Sequence, residues 1–423
     1  MPRPALYNGA AILADVRAGH KTAAVAAHHG CHIKRVQQLC REHGVTPPGQ
    51  DTLAANAGLA SRPPMPWLML VRLLCALVFN KGHSYGARQL YDDLAWDHQQ
   101  FHISRRAVRY ACIALWPLQY AARKNNAMRR LLRGYFYAPY VGYSMYIDAN
   151  CKLQEYGLYV SGAQDGKSRC ILSLTCLTDL LMLTVYTNTW VPAVAALGFL
   201  PDQTLTDKGS ENLLLAFVCH HLHMVFILAN GLAQQAGHRA RHRFVPSTRN
   251  RIERFWAEVN LRVNLPVKLM LVHMENQLNI LDIGNVHHIG AVQTLLKPII
   301  QHGLDMLRDT YNKHYVRSSR RHGGRPLILW QRYPHPGGNP TLPLGYNAVA
   351  EYERANPGKT VTRRPAWVAT RDPISNDQAK RLARHQAIVN IWGPDVTRVY
   401  PDILHNRGLT YFVPAFLEFL RHT

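Results

Sequence analysis

The stretch Ser144–Leu177, SMYIDANCKLQEYGLYVSGAQDGKSRCILSLTCL, decides the fold class. From Tyr143 onward the helical period of the preceding residues gives way to short aromatic and β-branched runs. Ser144–Ile147, Tyr156–Ser161 and Cys170–Thr175 read as three strands, and Asp165-Gly166 between the last two is a hairpin signal. Downstream the pattern predicts a helix at Val191–Leu200, a short strand at Thr204–Thr206, a helix at Asn212–His221, a strand at Met224–Leu228 and a long helix over Ser247–Val263. Three antiparallel strands followed by alternating helices and strands make an α/β mixed sheet covered by helices.

Upstream, residues 9–46 read as three short helices. Ile12, Leu13 and Val16 start the first, Thr22 is a candidate N-cap for the second, and Gly30 makes the turn. Ile33, Val36, Leu39 and Cys40 repeat at helical spacing, with Lys34, Arg35, Gln37, Gln38 and Arg41 on the other face. That is a helix-turn-helix pattern, and its basic, amide-rich face suits DNA. Residues 47–66, with proline at both ends, read as a linker. Residues 67–135 repeat the logic: Ser104 caps a helix bearing Arg105, Arg106 and Arg109, and RKNNAMRRLLR (123–133), with Arg129 and Arg130, is a basic strap suited to phosphate contacts. Beyond the core, residues 266–330 read as a helical extension, 331–346 as a Pro/Gly linker, and 347–423 as a small C-terminal domain ending in an apolar helix.

The 423 residues carry 49 Lys and Arg against 26 Asp and Glu, a net charge of +23. So basic a chain usually meets a polyanion, and nucleic acid is the leading candidate. The excess is uneven: net +12 over residues 1–140, +1 over 141–260 and +10 over 261–423. A basic head and tail therefore flank a near-neutral middle, where acids for metal chemistry would sit. The N-terminus shows no apolar signal segment, and Trp67–Phe79, interrupted by Arg72, is too short to span a membrane and reads as a buried helix. The 8 cysteines form no CxxC framework and read as buried thiols of a reducing compartment. No nucleotide-cofactor loop is present. His28, His29, Cys31, His32, Cys40 and His43 cluster in the first helical unit, but not at a standard zinc spacing.

Three acids stand out in the middle: Asp148 at the end of the first strand, Asp207 after a short strand, and Glu253 on the long helix. Two strand ends and one helix of such a sheet can converge. Three converging carboxylates repel unless a cation lies between them, and hard oxygen donors suit Mg²⁺ or Mn²⁺. Each acid also has a plain structural role open to it. Asp148 can end a strand, Asp207 can cap a helix, and Glu253 can pair with Arg249 or Arg254.

The surrounding words YIDANCKL, AQDGKSR, LTDKGSEN and NRIERFWAEVN together resemble the catalytic core of the integrase superfamily, the RNase H-like family of retroviral integrases and cut-and-paste transposases with an Asp-Asp-Glu triad. Within it the resemblance is to eukaryotic integrase-core proteins of transposon origin, and it spans roughly residues 140–330. It implies an RNase H-like mixed-sheet catalytic core over 140–265. It implies a triad of Asp148, Asp207 and Glu253 that is both catalytic and metal-binding, with two Mg²⁺ or Mn²⁺ ions. It further implies DNA as partner, element ends and target alike, a homo-oligomer on DNA with no membrane, and a nuclear location if the host is eukaryotic, cytoplasm or nucleoid if prokaryotic. Asp165 matches a family turn and is expected to be structural. Glu211 and Asn212 match the second motif, with Asn212 expected to cap the next helix. Asn250, one turn before Glu253, is expected either to orient water or DNA or to cap a helix. The chain departs from the family at Cys151, in the absence of the retroviral zinc module, and in the longer gap between Asp207 and Glu253. That gap holds GLAQQAGHRARHRF, expected as an inserted basic loop whose Arg239, Arg241 and Arg243 meet DNA. The function implied is a DNA transposase or integrase that cleaves strands and transfers a 3′-OH. The rivals are a domesticated DNA-binding protein that no longer cuts and a plain nuclease of the same fold.

Overall fold

A computed structural model describes residues 9–18, 25–26, 28–29, 33–43, 62–82, 85–120, 137–230, 242–246, 250–316, 324–363 and 372–423, with backbone alone for 33–35, 41 and 227–228. The chain divides into two compact units, residues 1–66 with 98–103, and residues 67–97 with 104–423. In the first unit, helices Gly9–Arg17 and Ile33–Glu42 close on Ile12, Leu13, Val16, Val25, Ala26, Val36, Leu39 and Cys40. These include the apolar positions whose helical spacing marks the segment. Thr22, Gly30, residues 44–46 and residues 47–61 of the expected linker lie outside the described residues.

The second unit is built on a five-stranded sheet: β1 (Met145–Leu153), β2 (Leu158–Asp165), β3 (Ile171–Leu177), β4 (Thr204–Thr206) and β5 (His242–Phe244), in the order β3-β2-β1-β4-β5. β1 pairs antiparallel with β2 and β2 with β3, whereas β1–β4 and β4–β5 are parallel. This is the mixed sheet that an RNase H-like fold implies, and each of the first four strands overlaps its expected run. β1, however, continues to Leu153, so Asp148 lies inside the strand rather than at its end, and β2 begins at Leu158 because Tyr156 is in a 3₁₀ turn. The fifth does not. Met224–Leu228, read as a strand, is the last part of a helix running Leu213–Ala229. A short apolar run has no period of its own to separate strand from buried helix. Here the helical set Leu214, Leu215, Val218, Cys219 and Leu222 is already buried, no Gly or Pro intervenes, and the helix runs on. The true fifth strand is the end of the segment expected as an inserted loop.

Alternation along β1 sends its residues to two different layers. Met145 and Ile147 join the apolar core with Trp190, Val194, Leu215 and Val218, from the helices that follow β3 and β4. Asp148 and Asn150 meet the opposite layer, through Trp256 and Asn260. That layer begins at Glu253, later than expected, because Asn250 stands outside the helix. It proceeds as α-helix Glu253–Val259, a π-helical turn Asn260–Asn264, and α-helix Leu265–Asn276. Pro266 falls in the first turn of the last segment, where a missing N–H costs little.

Helix Val286–Lys313 lies along β3, the edge of the sheet. Its side-chain amides replace the missing neighbouring strand. Asn312 accepts from Ile171 N at 2.8 Å and donates to Ile171 O at 3.0 Å. Gln301 accepts from Cys176 N at 2.9 Å and donates to Leu174 O at 3.0 Å. An edge covered in this way offers no template for pairing with another chain.

Helices Trp67–Lys81, Ala87–Asp97 and Arg105–Leu115 belong to this same unit. Ser104 caps the last of them, accepting from Ala107 N. Lys81 Nζ bonds Asp93 at 2.9 Å, and Asp93 Oδ2 also accepts from Thr310 Oγ1 of the long helix. Trp67–Lys81 is not the fully buried helix that its composition suggests. Only the stripe Leu70, Leu74 and Val78 is covered, while Trp67, Leu68 and Phe79 are exposed.

The segment read as a 331–346 linker is strapped to the core, with Leu200 N donating to Pro340 O at 2.8 Å and Asn339 Nδ2 to Leu200 O at 2.7 Å. Residues 372–423 pack on the long helix. Tyr400 sits against Gly303, where any β-carbon would collide with its ring, and donates its hydroxyl to Arg262 O at 2.9 Å. The terminal helix Phe412–Arg421 buries Phe412, Phe416 and Phe419 within the unit. Seven cysteines are described, all free; Cys75 and Cys151 are exposed, contrary to the reading of all as buried thiols. Among the described residues, no helix is long and apolar enough to cross a membrane.

Candidate active site

Each of the three acids reaches the site from a different element. Asp148 stands in β1 opposite Gly162 of β2, Asp207 directly follows β4, and Glu253 opens the helix packed across them. β4 runs parallel to β1, so the residue after its end comes up beside Asp148. All three are half-buried.

The three acids feel one another's charge. Burial pushes the Asp148 carboxyl up to about 7. The indole N–H of Trp256 opposes that rise, while the charges of Glu253 and Asp207 add to it. Burial likewise raises Glu253, a hydrogen bond with Asp148 pulls the other way, and the charge of Asp207 adds to the rise. Like charges in a half-buried place disfavour their own ionisation. Among the described residues, none of the three acids is ion-paired with a Lys or Arg. Their polar partners are neutral donors: Trp256 Nε1 to Asp148 Oδ2 at 2.8 Å, and Asn212 Nδ2 to Asp207 Oδ1 at 2.9 Å. Such a set could hold a divalent cation between its oxygens.

Residues 138–333 match the family described as integrase core domain. Over this stretch the chain is similar to integrase core domains. A search of curated proteins returns no match.

Around the three acids, the supporting residues take roles partly unlike those expected. Asn212 does not cap the helix after it. Capping needs an acceptor oxygen, and within the 3₁₀ turn Ser210–Asn212 its amide is turned back as a donor to Asp207. Asn250 is buried and donates to Ile147 O at 2.9 Å, fastening the approach to the Glu253 helix onto β1 one residue before Asp148. Asp165 is structural in its contacts. Its carboxylate accepts from Gly142 N at 2.8 Å, Lys167 N at 3.0 Å and both the N–H and hydroxyl of Ser168 at 2.6 Å, which folds the β2–β3 turn around it. Glu211 adds a fourth half-buried carboxyl beside Asp207, raised by burial and then by the charge of Asp207.

Sequence reasoning gave no role to Trp256, although it stands one turn after Glu253 in a quoted motif. It also passed over the clasp of Asn150, Asn260 and Asn264. Asn150 donates to Asn260 Oδ1 at 2.9 Å, and Asn264 donates to Asn260 Oδ1 at 2.9 Å and to Asn150 Oδ1 at 3.3 Å. The Asn-x₃-Asn spacing was the available signal.

Of the basic residues expected to meet DNA, Arg105, Arg106 and Arg109 are exposed on one helix, each held by a tyrosine. Arg105 lies 5.0 Å over Tyr91, Arg106 bonds Tyr110 at 3.3 Å, and Arg109 bonds Tyr120 at 3.1 Å. Arg243 is exposed on β5. Lys34, Arg35 and Arg41 lie on helix Ile33–Glu42, whose backbone alone is described at those positions, and Arg129, Arg130, Arg239 and Arg241 lie outside the described residues. In the histidine and cysteine cluster, Cys40 is in the helical core, whereas Cys31 and His32 lie outside the described residues. The donor atoms of Asp15, His28 and His29 gather within 4.8 Å, with His29 Nε2 and Asp15 Oδ2 a hydrogen-bonded 2.8 Å apart.

Proposed function

We propose that the chain is a DNA transposase or integrase that cleaves DNA strands at element ends and joins the freed 3′-OH to target DNA. The observation that carries this reading is the meeting of Asp148, Asp207 and Glu253 in the integrase core, with mutual repulsion and no cationic partner among the described residues. Three hard oxygen donors of this kind fit Mg²⁺ or Mn²⁺ better than softer ions. Two such ions held by the triad supply nucleophile activation and charge stabilisation for in-line phosphoryl transfer. The protein's own part is positional: Trp256, Asn212 and Asn250 fix the carboxylates and the elements that bear them.

The remaining parts divide the work of DNA binding. Helix Ile33–Glu42 and the arginines of Arg105–Leu115 read and grip element ends, and Arg243 with the preceding basic segment meets DNA beside the core. Joining two ends needs two active sites, so a homo-oligomer assembles on DNA. The terminal helix spends its aromatic face inside the protomer. Leu261, Leu265 and Leu269, exposed at four-residue intervals, therefore become the candidate contact. In a eukaryotic host the protein would work in the nucleus.

The test uses DNA carrying the element ends, with Mg²⁺ or Mn²⁺. Asp148→Asn, Asp207→Asn and Glu253→Gln are each expected to abolish cleavage and strand transfer while leaving DNA binding intact. Specific binding with no cleavage by the wild type would favour the domesticated protein instead, and full activity in any of the three variants would exclude the triad mechanism.

A further inference from the structure

We infer that Trp256 is a positioning residue of the triad, whose indole N–H holds Asp148 by one carboxylate oxygen and so orients the carboxyl that would bind a cation. The inference rests on the metal-centre reading above and adds to it a residue outside the triad. Nε1 of Trp256 lies 2.8 Å from Asp148 Oδ2. The tryptophan is only 5% exposed, so its N–H is cut off from water and needs this partner.

The seat of the ring is built into the sheet. Asp148 pairs with Gly162 across β1 and β2, and directly opposed residues point to the same face. Gly162 has no side chain there, and Trp256 fills the place. A β-carbon at 162 would stand 3.2 Å from the ring atom Cη2 of Trp256 and 3.1 Å from Cδ1 of Ile252. Trp256 also stands one turn after Glu253 on the same helix, so the two project from one rigid turn. The contact to Asp148 thereby sets the separation of the first and third acids of the triad. Asn150, Asn260 and Asn264 tie the same strand to the same helix further along, which limits sliding of one against the other.

The choice of donor matters. An Arg or Lys here would fix Asp148 equally well but would supply the positive charge the site reserves. A neutral N–H orients the carboxylate and leaves its charge to the cation. Groups that orient metal-binding side chains commonly affect affinity by about 10–100-fold.

The test measures Mn²⁺ binding to the full-length protein by calorimetry, alongside thermal melting without metal. Two variants remove the N–H: Trp256→Phe, and replacement of Trp256 by benzothienylalanine, which keeps the shape of the indole. Asp148→Asn defines binding without the site. The expected result is weaker Mn²⁺ binding by about 10-fold or more in both variants. The benzothienyl protein should melt like the wild type, and cleavage should recover at high Mn²⁺. Wild-type binding no stronger than that of Asp148→Asn would overturn the metal-centre reading and this inference with it. Clear wild-type binding that the benzothienyl protein matches within twofold would overturn this inference alone. Should Trp256→Phe fail to fold, the benzothienyl protein decides.

Discussion

Asp92 and Asp148 are both carboxylates that the fold draws in from water, yet their surroundings are opposite. Asp92 is completely buried, and His314 Nδ1 at 2.7 Å, Tyr315 N at 3.2 Å and Arg325 Nη2 at 3.3 Å converge on it. Burial alone would raise its carboxyl, but these partners hold it below the usual range. Asp148 has a neutral indole N–H; burial pushes its carboxyl up to about 7, and the charges of two other acids add to that rise where cations would oppose it. The first arrangement is complete within the protein and joins helix Ala87–Asp97 to the end of the long helix. The second has no such cations, and on the proposed reading an external cation would complete it. Whether a buried acid is structural or functional is thus read from the sign of its neighbours rather than from its burial.

The largest effect expected of this contrast is on stability. Asp92→Ala leaves His314 and Arg325 facing each other without their shared carboxylate and should cost about 3 kcal/mol in urea unfolding. Asp148→Asn should cost nothing. Equal losses in the two variants would break the comparison.

A smaller effect concerns the covered edge of the sheet. Gln301→Ala or Asn312→Ala frees two backbone groups of β3 in each case, for a loss of about 1–2 kcal/mol. Hydrogen exchange should accelerate at Cys176 for the first variant and at Ile171 for the second. Unchanged exchange would mean that the long helix covers the edge by packing alone.

A third effect is a pH dependence. A carboxyl raised from 3.8 to about 7 favours the folded state in its protonated form. That contribution is complete below pH 3.8 and is lost as pH rises through about 7. Without metal, wild type and Asp148→Asn should therefore melt alike near pH 4, and the variant should melt a few degrees higher at pH 8. Mg²⁺ should close the gap by stabilising only the wild type. A gap independent of pH would show that repulsion within the triad is not its source.

Much of this was legible in the residues. The strand period through Ser144–Leu177, the turn at Asp165-Gly166 and the four spaced motifs located the sheet, its first four strands and the three acids. Met224–Leu228 was misread because a short apolar run fits both a strand and a buried helix, and only the surrounding core selects between them. Asn212 was misread because asparagine can cap or donate, and the 3₁₀ turn selects donation. Arg105, Arg106 and Arg109 were legible as an exposed basic face, but not the tyrosines that hold them.

By itself, the sequence determined which residue types are present, their alternation and their order: acids in a near-neutral segment, apolar residues on one side of β1, and arginines outside the core. Such properties are local, set by side-chain chemistry and backbone period. Only the tertiary structure decided which distant residues meet. It placed Trp256 over Gly162 and against Asp148, gave Asp92 its side-chain partners from more than two hundred residues along the chain, and set Gln301 and Asn312 on the open edge of β3. Those contacts depend on the packing of helices across a twisted sheet, where each element's position is fixed by all the others at once, and no window of sequence contains that information.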